Sequence, residues 1–486
     1  MKLDYLLDRI TMYRLVLGLL IIYSLFALVL SVFNLLPFEP LIFLFTTLFI
    51  IAICWASNKI LSIIFNAPTN LESVYITALI LVLIISPVGK INYLLFVAGA
   101  CVLAMASKYL LCIKRKHIFN PAAVSLVATI YLFNQGASWW VGSNIMLPAV
   151  LIGGLLIIRK LRQEYVVWIF LGISIGLSIL LGRDLKLLLI YSPLVFFGSI
   201  MLTEPQTMPA SKAYRSLYAG LVAILNGFAT PEMALVIGNI FSYLVSPKGK
   251  YMLTLKSKTM MVDSIDEFVF TKPEGFFYKA GQYLEWTLPQ KSPDSRGTRR
   301  YFTLASSPTE PQIKLGVKFY DQGSSFKKAL GKLKPKDKIL AGQLAGDFTL
   351  PKNPSEKLVF IAGGIGITPF RSMIKYLLDT NQKLDIVLLY SNKQENEIVY
   401  KDLFKQAEDK LGIKTIYTLT DKESVSGSWQ GNIGRIDTAL VKSAVVDYKD
   451  RIFYLSGPQS MVEAYKQMLR GLGVTKIKTD FFPGLV

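Results

Sequence analysis

The chain has 486 residues, with 53 Lys+Arg against 33 Asp+Glu, one histidine and a formal net charge of +20. With 52% hydrophobic residues and a mean hydropathy of +0.44, it is too long for one domain and too apolar for an ordinary soluble enzyme. The single His117 excludes paired bis-histidine haem sites. Cys54, Cys101 and Cys112 lack the close spacing of a plant-type iron–sulfur cluster, no zinc-type ligand cluster appears, and no motif supports nucleic-acid binding.

Charge is distributed unevenly. Residues 1–250 hold 18 Lys+Arg and 8 Asp+Glu, whereas 251–486 hold 35 and 25. The first part reads as a polytopic α-helical membrane domain. About ten apolar stretches long enough for a hydrocarbon core of ~30 Å centre near Leu25, Phe49, Leu79, Phe96, Val127, Leu151, Leu171, Val195, Leu221 and Val236. With a cytoplasmic start, Lys2, Arg9, Lys59, Lys114, Arg115, Lys116, Arg159, Lys160, Arg162, Lys212, Arg215, Lys248 and Lys250 fall on the inner side. Only Lys90, Arg183 and Lys186 fall outside. The positive-inside rule therefore predicts a multi-pass plasma-membrane protein with its N-terminus and C-terminal part in the cytoplasm. The first apolar stretch exceeds a signal h-region and lacks a small-x-small cleavage site, so it is expected to stay as a span. The basic balance also suits membrane lipid with anionic headgroups. Two polar motifs interrupt the apolar pattern: HIFNPAA at His117–Ala123 and LTEPQTMPAS at Leu202–Ser211.

From Tyr251 the pattern changes to short alternating strands with Gly, Pro and Asp turns, which predicts a small antiparallel β-barrel over 251–351. Strand–helix alternation follows over 352–486: KLVFIAGG leads into TPFRSMIKYLL, and RIFYLSGP into SMVEAYKQML. Such alternation predicts an α/β doubly wound parallel sheet. Two runs carry candidate chemistry. RRYFTLASSP, Arg299–Pro308, places an arginine, aromatic rings and a hydroxyl beside a strand, which suits a flavin and its diphosphate. GGIGITP, Gly363–Pro369, is a glycine turn between a strand and a helix, which suits a nicotinamide dinucleotide.

In these motifs residues 251–486 resemble the ferredoxin–NADP reductase family. Arg300, Phe302 and Thr303 match its flavin motif in order, with Tyr301 between them. The resemblance implies that Arg300 holds the FAD diphosphate, that Phe302 packs on the isoalloxazine and that the Thr303 hydroxyl bonds near the redox-active nitrogen. It implies that Gly323, Ser324 and Ser325 open a helix onto the diphosphate. On the NAD(P)H side it implies Gly363, Gly364, Gly366, Thr368 and Pro369. Ser456, Gly457 and Pro458 stand where the family often has Cys-Gly-Pro beside the reactive nicotinamide carbon. Tyr390 and Ser391 end a strand where the adenosine ribose lies, and Ser391 with Lys393 lean towards NADPH. Phe482 or Phe481 is a candidate for a C-terminal aromatic over the flavin, whereas Trp286 reads as barrel packing.

FNPAA and TEP, with AYRSLYAGLVAIL and IGNIFSYLVSP, resemble the membrane flavoprotein family found in the Rnf and Nqr electron-transport complexes. That resemblance implies ten helices in two inverted halves. The threonine that carries covalent FMN in the family is missing between Leu132 and Asn144, so a membrane flavin would be non-covalent FMN or riboflavin. The expectation is a FAD-dependent NAD(P)H oxidoreductase passing electrons to a membrane flavin, a quinone or a redox partner protein. The alternatives are a membrane-anchored reductase of a soluble acceptor, and a transporter or ion pump with a redox-sensing reductase domain.

Overall fold

The computed structural model describes residues 7, 10–65, 71–87, 89–113, 116–246, 249–290, 294, 297–321, 323–423 and 425–480. Lys2, Arg9, Lys114, Arg115, Lys248, Phe481 and Phe482 lie outside the described residues. The chain divides into two compact units, essentially 1–250 and 251–482.

The first unit is helical: α1 (Met12–Val32), α2 (Pro40–Ile64), α3 (Leu71–Ile84), α4 (Ile91–Leu110), α5 (Pro121–Phe133), α6 (Leu147–Leu161), α7 (Glu164–Leu180), α8 (Leu185–Ile190), α9 (Leu194–Phe196, continued by a π turn over Phe197–Met201), α10 (Lys212–Asn226) and α11 (Pro231–Val245). Among the described residues, three helices (α1, α2 and α4) are long and apolar enough to cross a membrane. The other apolar stretches expected as spans form shorter helices. At 1.5 Å per residue, the 13 residues of α5 and the 14 of α3 reach only about 20 Å, short of a ~30 Å core.

The faces of α2 are inverted relative to a soluble helix. Thr46, Cys54, Asn58 and Ser62 lie on its buried stripe with Phe43 and Ile50, while Leu41, Phe45, Leu48, Trp55 and Ile63 are exposed. Exposed large apolar side chains beside a buried stripe that carries Thr, Asn and Ser reverse the usual pattern of a water-facing amphipathic helix.

The second unit joins a barrel to a parallel sheet. Strands β1 (Tyr251–Val262), β2 (Ile265–Thr271), β3 (Tyr283–Thr287), β4 (Arg299–Thr303) and β5 (Gln312–Lys318) precede helix α12 (Ser325–Gly331) and β6 (Lys338–Ala345). The antiparallel order is β4-β3-β6-β1-β2-β5. Past the end of β4, Ala305 N–H donates to the Lys314 carbonyl at 2.9 Å and draws the two edge strands together. Alternation sends Phe268, Phe270, Leu284, Trp286, Phe302, Leu315 and Ile339 into one core. Trp286 is fully buried there, 5.2 Å from the Phe270 ring.

The sheet contains β7 (Leu358–Gly363), α13 (Thr368–Thr380), β8 (Ile386–Asn392), α14 (Lys401–Leu411), β9 (Lys414–Leu419), β10 (Asn432–Ile433), α15 (Thr438–Ala444), β11 (Ile452–Ser456), α16 (Gln459–Gly471) and β12 (Ile477–Thr479). All pairings are parallel, in the order β10-β9-β8-β7-β11-β12. Near-continuous apolar runs such as LVFIA in β7 suit strands covered on both faces. Strand order reverses between β7 and β11, so the crevice beyond their carboxyl ends is where such sheets take ligands.

Gly281 marks where barrel and sheet meet. Its φ is +93°, and a Cβ there would stand 2.1 Å from the Phe348 carbonyl oxygen and 2.4 Å from Met373 Cε on α13. Substituting Gly281→Ala is expected to destabilise the second unit by about 2 kcal/mol or more through overpacking and strain. Amide hydrogen exchange of β6 and α13 measures this; unchanged protection would contradict the close approach.

Candidate functional site

The site is built by the carboxyl ends of β4, β7, β11 and β12 and the start of α12. Strand β4 has a 2-residue period, so Arg300 and Phe302 share one face and Tyr301 and Thr303 the other. Arg300 is 1% exposed; its guanidinium lies 5.4 Å over the Phe326 ring of α12, and Phe302 packs on the same ring at 6.1 Å. Tyr301 donates to Glu285 Oε2 at 2.8 Å and to Gln343 Oε1 at 3.3 Å. Arg299 pairs with Glu285 at 3.8 Å.

Gly323 closes a turn onto the Tyr320 carbonyl at 2.9 Å. Ser324 caps α12 by accepting from Lys327 N–H at 3.2 Å. Ser325 is engaged with Asp294: its N–H donates to Asp294 Oδ2 at 2.9 Å, and its hydroxyl accepts from Asp294 N–H at 3.0 Å. Arg300 approaches the other oxygen of Asp294 at 3.9 Å. An acidic side chain thus occupies the position where Arg300 and the start of α12 converge, because a carboxylate answers both a guanidinium and an exposed helical N–H.

At the sheet, Gly363 ends β7, Gly364 turns with φ +53°, and residues 364–367 make a short 3-10 turn into α13. A Cβ on Gly366 would lie 2.6 Å from the backbone of Ser456 and Gly457, and one on Gly363 2.3 Å from the Met461 sulfur. These contacts bring the GGIGITP and SGP turns against each other, and Pro458 opens α16. The Thr368 hydroxyl donates to the Ile365 carbonyl at 3.2 Å, while Pro369 fills the first turn of α13, where a missing N–H costs nothing. Tyr390 requires a correction. Its side chain is wholly buried in the sheet core, against Phe404 and Tyr417. Ser391, its neighbour in an alternating strand, faces the opposite side, towards Tyr465.

The two cofactor motifs meet on a residue the sequence did not single out. Thr303 donates to Asp480 Oδ2 at 3.4 Å and Ser456 donates to the same oxygen at 3.2 Å. The other oxygen, Oδ1, is shielded from solvent and has no hydrogen-bond partner. Burial pushes the Asp480 carboxyl up to about 7, against the hydrogen bonds from Ser456 and Thr303 that favour its charged form. Asp480 follows β12, which aligns beside β11, so its position is set by sheet register across 177 residues of chain from Thr303. The TDFF run gave no signal beyond its aromatics.

A second missed feature joins the lobes. Arg371 on α13 forms a bidentate pair with Glu310, through Nη1 to Oε2 and Nη2 to Oε1 (2.9 Å), and donates to the Ala305 carbonyl at 3.0 Å. Ser372 adds a bond to the Ser306 carbonyl at 2.5 Å. Burial raises the Glu310 carboxyl, but the Arg371 guanidinium, the Ser307 N–H and the Lys314 charge together hold it below the usual range. The segment that follows Thr303 is thereby fastened to the helix that follows the glycine turn.

In the helical unit the two polar motifs also meet. Asn120 caps α5, accepting from Ala123 N–H at 3.1 Å, and donates to Glu204 Oε2 at 2.9 Å. Its own N–H donates to Asn239 Oδ1 at 2.8 Å. Beside them is a cavity whose lining joins apolar side chains such as Val16, Ile80 and Ile157 to polar ones such as Thr203, Glu204 and Gln206. The Gln206 carbonyl oxygen is buried there without a partner.

Residues 360–467 match the family described as the oxidoreductase NAD-binding domain. The chain is 25% identical over 207 residues to the glycine betaine monooxygenase reductase subunit of Pseudomonas aeruginosa, covering 42% of this chain and 56% of that protein. It is 26% identical to NADH-cytochrome b5 reductase 1 of Aspergillus terreus, covering 48% and 82%. Among solved structures, the FAD/NAD-binding domain of nitric oxide dioxygenase from Vibrio cholerae aligns at 21% identity and a TM-score of 0.41, covering 48% of this chain and 98% of that one. The chain thus spans a little over half the length of the first of these relatives.

Two outcomes test this geometry. Glu310→Gln leaves Arg371 buried with its charge unanswered and is expected to cost about 3 kcal/mol. Exchanging both residues for Met should cost less than the sum of the single changes, a coupling read by a double-mutant cycle in the hydrogen exchange of β7 and α13. For Asp480, a folded-state carboxyl near 7 against an ordinary 3.8 favours the folded state at low pH. That contribution is fully present below about pH 4, declines as pH rises towards 7 and is flat above. The slope is at most about 1.4 kcal/mol per pH unit. Melting temperatures across pH 4.5–7.5 should fall with this slope in the native chain and lose it in Asp480→Asn.

Proposed function

We propose that the chain is a membrane-integral, FAD-dependent NAD(P)H oxidoreductase. The observation that carries this reading is the meeting of Thr303 and Ser456, one from each cofactor motif, on Asp480 Oδ2. Hydride transfer needs donor and acceptor rings held face to face, and the groups expected to flank those rings already stand within hydrogen-bond reach of one carboxyl.

The residues fit the two cofactors on several counts. The Asp294 carboxylate between Arg300 and Ser325 N–H stands in for an acidic oxygen of a diphosphate, which would displace it. At Gly364 a Cβ would meet nothing within 4 Å, which leaves open backbone past the carboxyl end of β7, where a dinucleotide diphosphate can come close. When bound, FAD supplies the capacity to take a hydride's electron pair and release the electrons singly. The protein's part is positioning. Phe302, whose ring is mostly buried against Phe326 in the barrel core, is proposed to back the flavin with its remaining edge, Thr303 to donate to the flavin's reactive edge, and Ser456 to border the nicotinamide. Asp480, with a carboxyl near 7, can hold or give up a proton beside that edge near neutrality. Ser391 and Lys393 are proposed for the adenosine side, with a lean towards NADPH.

The apolar exterior of α2 supports seating the helical unit in a membrane through α1, α2 and α4, with both cofactor lobes in the cytoplasm. Electrons from FAD would then pass to a flavin or quinone in the helical unit, or to a redox partner protein. The cavity at Asn120 and Glu204, lined by both apolar and polar side chains, favours an acceptor inside the helical unit over a helical unit that is only an anchor. Non-covalent FMN or riboflavin and the head group of a quinone are the candidates for it.

The test is flavin content per chain after detergent purification, with released flavins separated chromatographically. One FAD per chain is expected, with a second flavin if the cavity holds one; an absence of FAD after gentle preparation sinks the proposal. Thr303→Val should retain FAD and lower NAD(P)H–ferricyanide turnover about tenfold, the worth of one hydrogen bond of ~1.4 kcal/mol.

A further inference from the structure

We infer that the outer face of β1 and of the α12–β6 connection is a docking surface for anionic membrane lipid. The inference rests on the membrane reading above but concerns a different part of the molecule. The run KKALGKLKPKDK, 327–338, has one acidic residue, Asp337, which is engaged in the Lys334 turn by accepting from its backbone N–H at 2.7 Å. Lys328, Lys332, Lys334, Lys336 and Lys338 are exposed. Strand pairing sets Lys256 and Lys258 of β1 beside them. Lys338 is the partner of Thr254 in the β1–β6 ladder, Lys336 N–H donates to the Leu255 carbonyl at 2.8 Å, and Lys258 Nζ reaches the Gly331 carbonyl at 2.8 Å. Residues some eighty positions apart in sequence thus form one basic face. The acidic residue Asp266 answers Lys258, at 3.1 Å.

Three observations favour lipid over an acidic protein as the occupant. Apolar side chains project at the chain-entry end of the same strand. Met252 is 44% exposed, and Phe277 is 86% exposed next to Phe276, whose ring lies 5.0 Å from that of Tyr251. Exposed apolar side chains flanked by lysines match the headgroup–acyl boundary. Next, five residues, 246–250, separate α11 from β1, a tether whose contour is at most about 18 Å. Such a tether keeps β1 at high effective concentration near any bilayer that holds the helices. Lastly, β1 lies three strands from β4, so this face is not built from Thr303, Ser456 or Asp480, as a surface for handing electrons to a protein would be expected to be.

The experiment uses the full chain in nanodiscs of phosphatidylcholine alone or with phosphatidylglycerol, and reads lysine acetylation by mass spectrometry. The expected result is that Lys256, Lys328, Lys332, Lys334, Lys336 and Lys338 are labelled at least threefold more slowly in anionic discs. This protection should vanish in ~0.5 M salt, where the screening length falls to a few ångströms. Oxidative footprinting gives a second readout. Met252 and Phe277 should be protected in anionic discs, and lose that protection when the six lysines are replaced by Gln, with NAD(P)H–ferricyanide turnover unchanged. Equal labelling in both lipids overturns the inference while leaving the membrane reading intact. Protection by an added acidic ferredoxin, with none from anionic lipid, also overturns it and assigns the face to a protein. A chain that stays in solution without detergent or lipid sinks both readings.

Discussion

The second unit depends on one buried ion pair. Arg371 and Glu310 belong to different lobes and are densely bonded: the two terminal nitrogens of the guanidinium to two carboxylate oxygens and the Ala305 carbonyl, the carboxylate also to Ser307 N–H at 2.6 Å. Removing both charges from water is expensive, and only this dense set of bonds offsets it. The geometry follows from that demand. With α13 clamped to the segment after β4, the glycine turn before α13 and Thr303 at the end of β4 have little freedom relative to each other. Orientation of this kind is what a two-cofactor reaction needs most.

Asp480 is the chemical counterpart of that clamp. Its carboxyl sits in a pocket that suits the neutral acid, yet two hydroxyls donate to it as they would to the anion. The balance leaves it near the middle of the physiological range, where a small change in its surroundings moves a proton. A group bound at Thr303 or Ser456 would bring such a change, since both hydroxyls donate to this carboxyl. The same crevice lies at the reversal of strand order between β7 and β11, so topology and electrostatics select one place.

The helical unit shows a related economy of polar groups. Asn120 and Glu204, 84 residues apart, bond in the lining of a cavity that also carries many apolar side chains. An Asn-Pro or Glu-Pro step at a helix end is ordinary punctuation by itself. Joined to each other and to Asn239, the two steps become a bonded polar cluster, as buried polar groups require.

Much of this protein was legible in its sequence because the relevant signals are local. Two-residue alternation gives the barrel strands, strand–helix alternation gives the parallel sheet, and the turn at Gly363–Gly366 can be placed by its glycines alone. The apolar character of residues 1–250 was equally plain, but not the helix lengths, because Pro, Gly and the π turn at Phe197–Met201 shorten segments that hydropathy runs together. Tyr390 was misassigned for want of a face: two neighbours in a strand point opposite ways, and only packing against Phe404 and Tyr417 decides which one meets the core. Asp480, the Arg371–Glu310 pair and the lysine face of β1 and β6 lay beyond reach of the sequence for one reason. Each is made by residues brought together through strand register or lobe docking, and a one-dimensional pattern has no term for contacts between distant segments. Local propensity chose the elements; burial of charge and pairing across the sheets chose the site.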